Sequence, residues 1–321
     1  MNNDKIWIIG AGSMTKEYVK VLKALNQDVL VIGRSEANCQ KIREEFGCET
    51  ISSGLTTFLQ SSPDIPSKVI VAVGIEALKD VTIELLNFGV TDILLEKPGV
   101  AYANEINELA DIAQEKKAKI LLAYNRRFYA SVLKAEELIK EDGGVSSFNF
   151  EFTEWSHTIR TLDKTKAEWH NWFLGNSTHV IDTAFFLGGK PKELSSYYQG
   201  GLDWHPKSSN FCGAGISTEG AMFSYHANWE APGRWVIEVL TKKRRLLFKP
   251  MESLQIQMLG SVAVNSVELD EELDKAFKPG LYLQTKAFIK GDDSRFCSLK
   301  EQKKIIEKVY LKMSGYTYSE K

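Results

Sequence analysis

The sequence predicts an α/β protein of two domains. Residues 1–124 read as a doubly wound parallel sheet, and residues 125–321 as an α/β domain on a large, mostly antiparallel sheet. Three observations carry this reading. A length of 321 residues corresponds to about two domains. The first half alternates short, continuously apolar runs with segments of helical period, the pattern of a parallel sheet covered on both faces. The second half strings strand-like runs together with little helix between them, which favours antiparallel pairing.

Residues 5–9 (KIWII) form a first strand that ends in Gly10-Ala11-Gly12. Tyr18, Val21, Leu22 and Leu25 give residues 13–26 one apolar helical face. Residues 28–32 are a second strand, 35–46 a second helix, and 49–51 a short third strand. Strand 68–73, helix 76–88, strand 91–95, helix 103–116 and strand 119–124 complete the series. Beyond it, a helix at 131–141 stops at Gly143-Gly144. Phe148, Phe150 and Phe152 then alternate with polar residues, so that strand keeps one face wet. Further strands are expected at 193–199, 209–217, 220–229, 234–241, 244–249 and 252–258. Ser298 and Glu301 stand in capping-box spacing at the start of a last helix, 298–313.

Composition excludes several functions. Forty Lys+Arg against 42 Asp+Glu leave a net charge of −2, without the basic field of a nucleic-acid binder. With 43% hydrophobic and 26% charged residues the chain is an ordinary globular one, not a disordered one. Cys39, Cys48, Cys212 and Cys297 form no CxxC pair, which fits a reducing compartment rather than a disulfide scaffold or zinc ribbon. The five histidines contain no HExxH or i,i+4 ligand pair, so metal-independent chemistry is expected. No apolar run reaches the ~18 residues of a membrane span, and MNNDKIWIIGAG lacks the basic start and apolar core of a signal peptide. A cytoplasmic protein is expected, with neither nucleic acid nor membrane as partner.

Gly10, Gly12 and Thr15 take the three positions of G-x-G-x-x-G, with Ser13 and Met14 between them. The first glycine permits a tight turn, the second lets backbone approach a pyrophosphate, and the helix beyond offers free N–H groups and the positive end of its dipole. Threonine at the third position departs from the usual Gly or Ala. An acid at the end of the second strand would hold a ribose 2′-hydroxyl and mark NAD. The sequence there is Ile32-Gly33-Arg34-Ser35. Arg34 can pair with a 2′-phosphate and Ser35 can donate to it, so NADP is expected, with NAD as the alternative.

Glu96-Lys97-Pro98 comes after the fifth strand, at the carboxyl end of the sheet where doubly wound folds place ligands. Together with the glycine loop, Tyr124-Asn125-Arg126-Arg127-Phe128 and Gly175-Asn176-Ser177-Thr178-His179-Val180-Ile181-Asp182, it makes the chain resemble the Gfo/Idh/MocA family of glucose-fructose oxidoreductase, inositol dehydrogenase and relatives. The resemblance implies a Rossmann domain plus an α/β domain whose open sheet shields the substrate and mediates a homodimer or homotetramer. It implies hydride transfer between a nicotinamide and a hydroxyl-bearing carbon of a sugar or cyclitol.

By position, the resemblance makes Lys97 the catalytic lysine that hydrogen-bonds the reacting oxygen, with Glu96 beside it in the cofactor site, and His179 the acid/base histidine. Asp182, one turn on, would orient the imidazole or brace its helix. Many family members carry an aspartate four residues before the histidine; here that residue is Gly175, with Asn176 next to it. Asn176, Arg127, Trp229 and Arg234 are the expected substrate contacts. Aromatic faces stack on sugars or bases, and arginine holds phosphate. Trp204-His205-Pro206-Lys207 and Trp169-His170-Asn171-Trp172 are further aromatic clusters, and interface or core packing is the favoured account of any single one of these tryptophans. The segments NSTHVIDTAFFLGGKPKEL and WEAPGRW look like family members of bacterial surface-polysaccharide synthesis, which implies a nucleotide-activated or acidic sugar. Two other readings share the pattern: a catalytically inactive sensor of NAD(P) and sugar, and a nicotinamide-dependent glycosidase.

Overall fold

A computed structural model describes residues 5–318. Residues 1–4 and 319–321, within the expected domain bounds, lie outside the described residues. The chain divides into two compact units: residues 5–125 with Leu273–Lys303, and Arg126–Glu272 with residues 304–318. Each is taken by itself.

The first unit begins β1 (Ile6–Ile9), α1 (Ser13–Ala24), β2 (Val29–Ile32), α2 (Glu36–Phe46), β3 (Glu49–Ile51) and α3 (Leu55–Gln60). It continues β4 (Val69–Val71), α4 (Leu78–Phe88), β5 (Asp92–Leu95), α5 (Glu105–Glu115) and β6 (Lys119–Leu122). The six strands pair in parallel, in the order β6-β5-β4-β1-β2-β3. The order reverses at β1, so the β1–α1 and β4–α4 turns open side by side, the switch point at which such sheets bind ligands. Ile6, Trp7, Ile8 and Ile9 are all buried, because both faces of the sheet are covered. The helix α3 was not expected from the sequence; it is six residues long and buries only Leu55, too little periodicity to read.

The second unit opens with α6 (Ala130–Glu141), β7 (Ser147–Glu151), α7 (Ser156–Ile159) and α8 (Lys166–His170). A π-helical turn over Phe173–Ser177 leads into α9 (Thr178–Gly188). Then come β8 (Pro191–Gln199), β9 (Asn210–Ser217), β10 (Met222–Asn228), β11 (Val236–Leu240), β12 (Arg244–Phe248), β13 (Gln255–Met258) and β14 (Val264–Ser266). These strands form one open eight-stranded sheet, β14-β13-β12-β11-β7-β10-β9-β8, in which only β7 and β10 run parallel. The alternation at 148–152 has the predicted effect. Phe148, Phe150 and Phe152 face inward and stack with Phe223 and Tyr225 of β10 at ring distances of 5.3–5.8 Å. Phe185 of α9 meets Phe148 and Phe150 edge-on. This aromatic layer is the floor on which α9 lies.

The chain then crosses α10 (Glu272–Ala276) and returns to the first unit through α11 (Leu281–Lys290) and β15 (Cys297–Ser298) before α12 (Leu299–Ile305). β15 adds an antiparallel seventh strand beside β6. A single cut after Tyr124 leaves these returning elements out of the first unit. The Ser298 hydroxyl does accept from Glu301 N at 3.2 Å, as an N-cap should. A second π-helical turn, Ile306–Tyr310, interrupts the expected long helix before α13 (Leu311–Ser314). No helix among the described residues is long and apolar enough to cross a membrane.

Candidate active site

The glycine loop of the first unit is shaped for a ligand. Gly10 sits at φ +117°, and a Cβ there would stand 2.3 Å from the Ala72 carbonyl oxygen, so only glycine lets β1 turn this close to β4. A Cβ on Gly12, the N-cap of α1, would meet nothing within 4 Å. No side chain caps α1 and no acid lies in its first turn, which begins with Ser13 and Met14. Open space over uncapped N–H groups at the positive end of a 12-residue helix suits a pyrophosphate. Thr15 is buried and donates its hydroxyl to the Gly10 carbonyl at 3.0 Å, so the third position closes the loop by a side-chain bond.

At the end of β2, Arg34 is exposed, and among the described residues nothing hydrogen-bonds or ion-pairs with its guanidinium. Ser35 caps α2, its Oγ accepting from Asn38 N at 3.3 Å. The first acid beyond, Glu36, lies 3.6 Å from Arg43. A 2′-phosphate therefore has a free cation at hand.

Lys97, half-buried, lies after β5 and precedes Pro98 through a cis bond. Glu96 accepts from the buried Tyr18 hydroxyl of α1 at 2.8 Å. Burial pushes the Glu96 carboxyl up, against the pull of Lys97 and Tyr18. Gln302 of α12 donates to the Pro98 carbonyl at 2.9 Å and Asn125 donates to that of Pro279 at 2.9 Å. Gln302, far away in sequence, thus holds the Lys97 turn.

In the second unit the candidate residues converge, with one that the sequence reading missed. Glu154, 1% exposed, accepts from Asn176 Nδ2 at 3.0 and 3.1 Å and from Ser177 Oγ at 2.8 Å. Arg234 Nη1 lies 3.7 Å from its Oε2. Burial nevertheless dominates, and the Glu154 carboxyl is pushed up to about 7. His179 is buried one residue into α9, its ring 6.3 Å from that of Trp235. Arg126 and Arg234 both lie over the Trp235 ring, at 4.7 and 4.8 Å. The π-helical turn brings Asn176 and Ser177 onto Glu154, and such turns recur at functional sites. A carboxyl near neutrality and a histidine can exchange protons, and the guanidiniums can hold negative charge.

Two expectations need correction. Arg127 is not free to contact substrate: it is buried and forks onto Asp182, Nε to Oδ2 at 2.8 Å and Nη2 to Oδ1 at 2.7 Å. That pair makes Asp182 a brace of α9 on Arg127, the second of the two roles expected of it. Trp229 is core: 1% exposed, it donates to the Phe152 carbonyl at 3.2 Å and stacks on Trp204 at 5.7 Å. In the same core His205 bridges the Ser208 carbonyl and the Tyr316 hydroxyl, and burial lowers its pKa to about 4. Among the described residues no group of three or more His, Cys, Asp or Glu is placed to hold a metal ion.

Residues 5–124 match the family model described as "Oxidoreductase family, NAD-binding Rossmann fold" (Gfo/Idh/MocA). No curated protein matches the chain in sequence. Several solved structures share its fold. A levoglucosan dehydrogenase in complex with NADH is 17% identical, with a TM-score of 0.74 over 94% of each chain. A structure given as an NADPH-dependent oxidoreductase from Desulfitobacterium hafniense is 17% identical, with a TM-score of 0.77 over 98% of this chain and 95% of that one. UDP-N-acetylglucosamine 3-dehydrogenase from Acidithiobacillus ferrooxidans is 13% identical, with a TM-score of 0.73 over 98% of each chain.

Proposed function

Residues 5–124 belonging to the Gfo/Idh/MocA oxidoreductases, we propose that the chain is an NAD(P)-dependent dehydrogenase/reductase acting on a hydroxyl or keto carbon of a sugar or cyclitol. The observation that carries this is Glu154, a buried carboxyl poised near neutrality beside the helix of His179. It supplies the carboxylate that Gly175 does not. The nicotinamide, when bound, supplies the hydride acceptor or donor. The chain's own residues do the rest. Gly10, Gly12, Ser13, Met14 and Thr15 form the pyrophosphate cradle, and Lys97 hydrogen-bonds the reacting oxygen so that alkoxide-like charge is stabilised. His179 takes or gives the hydroxyl proton, while Glu154 and Asn176 set the polarity of the pocket around it.

The exposed, unengaged Arg34 favours NADP over NAD. The UDP-sugar substrate named for one structural relative and the guanidiniums over Trp235 support a nucleotide-activated or acidic sugar. The outer face of the second sheet, with Tyr197 and Met222 each 68% exposed, suits a homodimer or homotetramer. Four free cysteines suit a reducing, cytoplasmic setting.

Sugars, polyols and nucleotide sugars assayed with NADP⁺ and NAD⁺ at the reduced-nicotinamide absorbance test the reading. Turnover of at least one is expected, with NADP⁺ preferred. Lys97→Ala and His179→Ala should each lower kcat/KM by about 10²-fold or more. Near-normal turnover in either variant removes that residue from the mechanism. Glycosidic product without net cofactor reduction would make the protein a glycosidase, and tight NADP⁺ binding without turnover a sensor.

A further inference from the structure

We infer that Arg126 and Arg234, held against the indole of Trp235, form a subsite for an oxyanion carried by the sugar, either a carboxylate or a phosphoryl group. The inference rests on the reading of this cluster as the substrate site, and it goes further by fixing the ligand's charge.

The first observation is an unanswered cation. Arginine carries five N–H donors, and among the described residues those of Arg126 find no acceptor; its Nε is buried. Nor does any carboxylate of the described residues reach ion-pair distance. Burial and the charge of Arg234 press its pKa down, while Tyr129, Glu252 and Glu154 act on it only through space. A desolvated guanidinium without a counter-charge is costly to keep.

The second observation is that both arginines are held ready. Arg126 lies 4.7 Å from the Trp235 ring and 5.7 Å from that of Tyr129. Arg234 lies 4.8 Å from Trp235 and 4.7 Å from Trp155. Trp155 is itself fixed by its indole N–H, which donates to the Gly233 carbonyl at 2.7 Å. Stacking against aromatic rings orders the planar forks before a ligand arrives, so less freedom is lost on binding.

The third observation is the charge balance. Among the described residues the one acid within ion-pair distance of Arg234 is Glu154, at 3.7 Å, whose carboxyl is pushed up to about 7 and so is not a constant counter-ion at neutral pH. The charge of Arg234 is felt at Arg126, and an oxyanion on Arg126 offsets that repulsion while accepting forked hydrogen bonds. An uncharged hydroxyl would accept a bond from Arg126 but leave its charge unanswered. His179 borders the same indole, so a ligand anchored there places its sugar beside the acid/base residue.

Calorimetric titration of the full-length protein with NADP⁺ present tests this, using D-glucose, D-glucuronate, D-glucose 1-phosphate and UDP-glucose. At least one charged sugar should bind about tenfold or more tightly than glucose, and the arm that does so distinguishes carboxylate from phosphoryl recognition. Arg126→Gln should weaken that ligand by about tenfold or more, and Arg126→Lys, which keeps the charge but not the fork, by less. Arg234→Gln, at an exposed position, should weaken it by about threefold to tenfold. None of these should change the Kd for NADP⁺. In the parent protein, added salt should weaken the charged sugar and not glucose, a readout that needs no variant. Equal affinity for glucose and every charged sugar, no binding by any charged sugar, or an Arg126→Gln Kd within about twofold of the parent would overturn the subsite. Turnover of an uncharged sugar without charge preference removes the subsite and leaves the dehydrogenase; charge preference without turnover of any sugar does the reverse.

Discussion

At the scale of the residue, Glu154 is the main addition to what the sequence reading found. The signal was present in parity. Phe148, Phe150 and Phe152 point inward, and the next residue of the same parity is 154. A carboxylate continuing an inward-facing series is costly unless it has work to do. It was masked because the strand ends at Glu151 and no motif spans the interval to Asn176. Its titration has a definite sign. A carboxyl near 4.5 in the unfolded chain and about 7 when folded binds its proton more tightly in the native state. Its contribution to stability is therefore present below pH 4.5 and lost as pH rises to about 7, on the order of 3 kcal/mol in all. Melting temperatures between pH 5 and 8 should fall more steeply for the parent than for Glu154→Gln. The variant should also flatten the pH dependence of kcat/KM around neutrality. Parallel melting profiles in the two proteins would show that Glu154 does not titrate in this range.

At the scale of the element, the turn Asn125–Phe128 gives two neighbouring arginines different tasks. Both were visible in the sequence, but which of them meets substrate was not. A 3₁₀ turn spaces side chains unlike either a helix or a strand, so neither period could assign their directions. Arg126 goes to Trp235, and Arg127 to Asp182 of α9. Because the Arg127–Asp182 pair is buried, removing one partner strands the other. Arg127→Ala or Asp182→Asn should cost about 3–5 kcal/mol in urea unfolding, and replacing both with apolar residues should recover much of that loss. The KM for NADPH should not move in any of them. An Arg127→Ala variant of parental stability with a raised substrate KM would restore Arg127 to the substrate site.

At the scale of the whole molecule, the parallel strands were legible because all but the short, polar β3 are largely buried apolar runs between helices. The return of the chain to the first unit was not. The buried face of α11 includes Gln284 and Thr285 beside Leu281 and Phe288, which dilutes its apolar period, and β15 is two residues long. Yet this segment braces the cofactor unit through Gln302 on Pro98, Pro279 on Asn125, and Phe288 under Lys68 at 4.6 Å. A fragment ending at Asn125 should therefore bind NADPH at least about tenfold more weakly than the full chain. A chain in which residues 126–272 are replaced by a Gly/Ser linker should recover that affinity. Equal NADPH affinity in the short fragment, measured by fluorescence titration, would make the returning segment dispensable.

The π-helical turn at Phe173–Ser177 has a consequence for how the second unit tolerates length changes. A regular α-helix advances about 100° per residue, so a turn closed over one extra residue acts as a fixed angular offset between the helical residues on its two sides. Asn176 and Ser177, which grip Glu154, stand within the offset, and His179 and Asp182 stand beyond it. Deleting one residue at the start of the turn would restore a continuous α ladder and leave all of these side chains chemically intact. It would also change the backbone course that sets Asn176 and Ser177 against Glu154, so the winding of this short segment is as much a part of the site as any side chain in it.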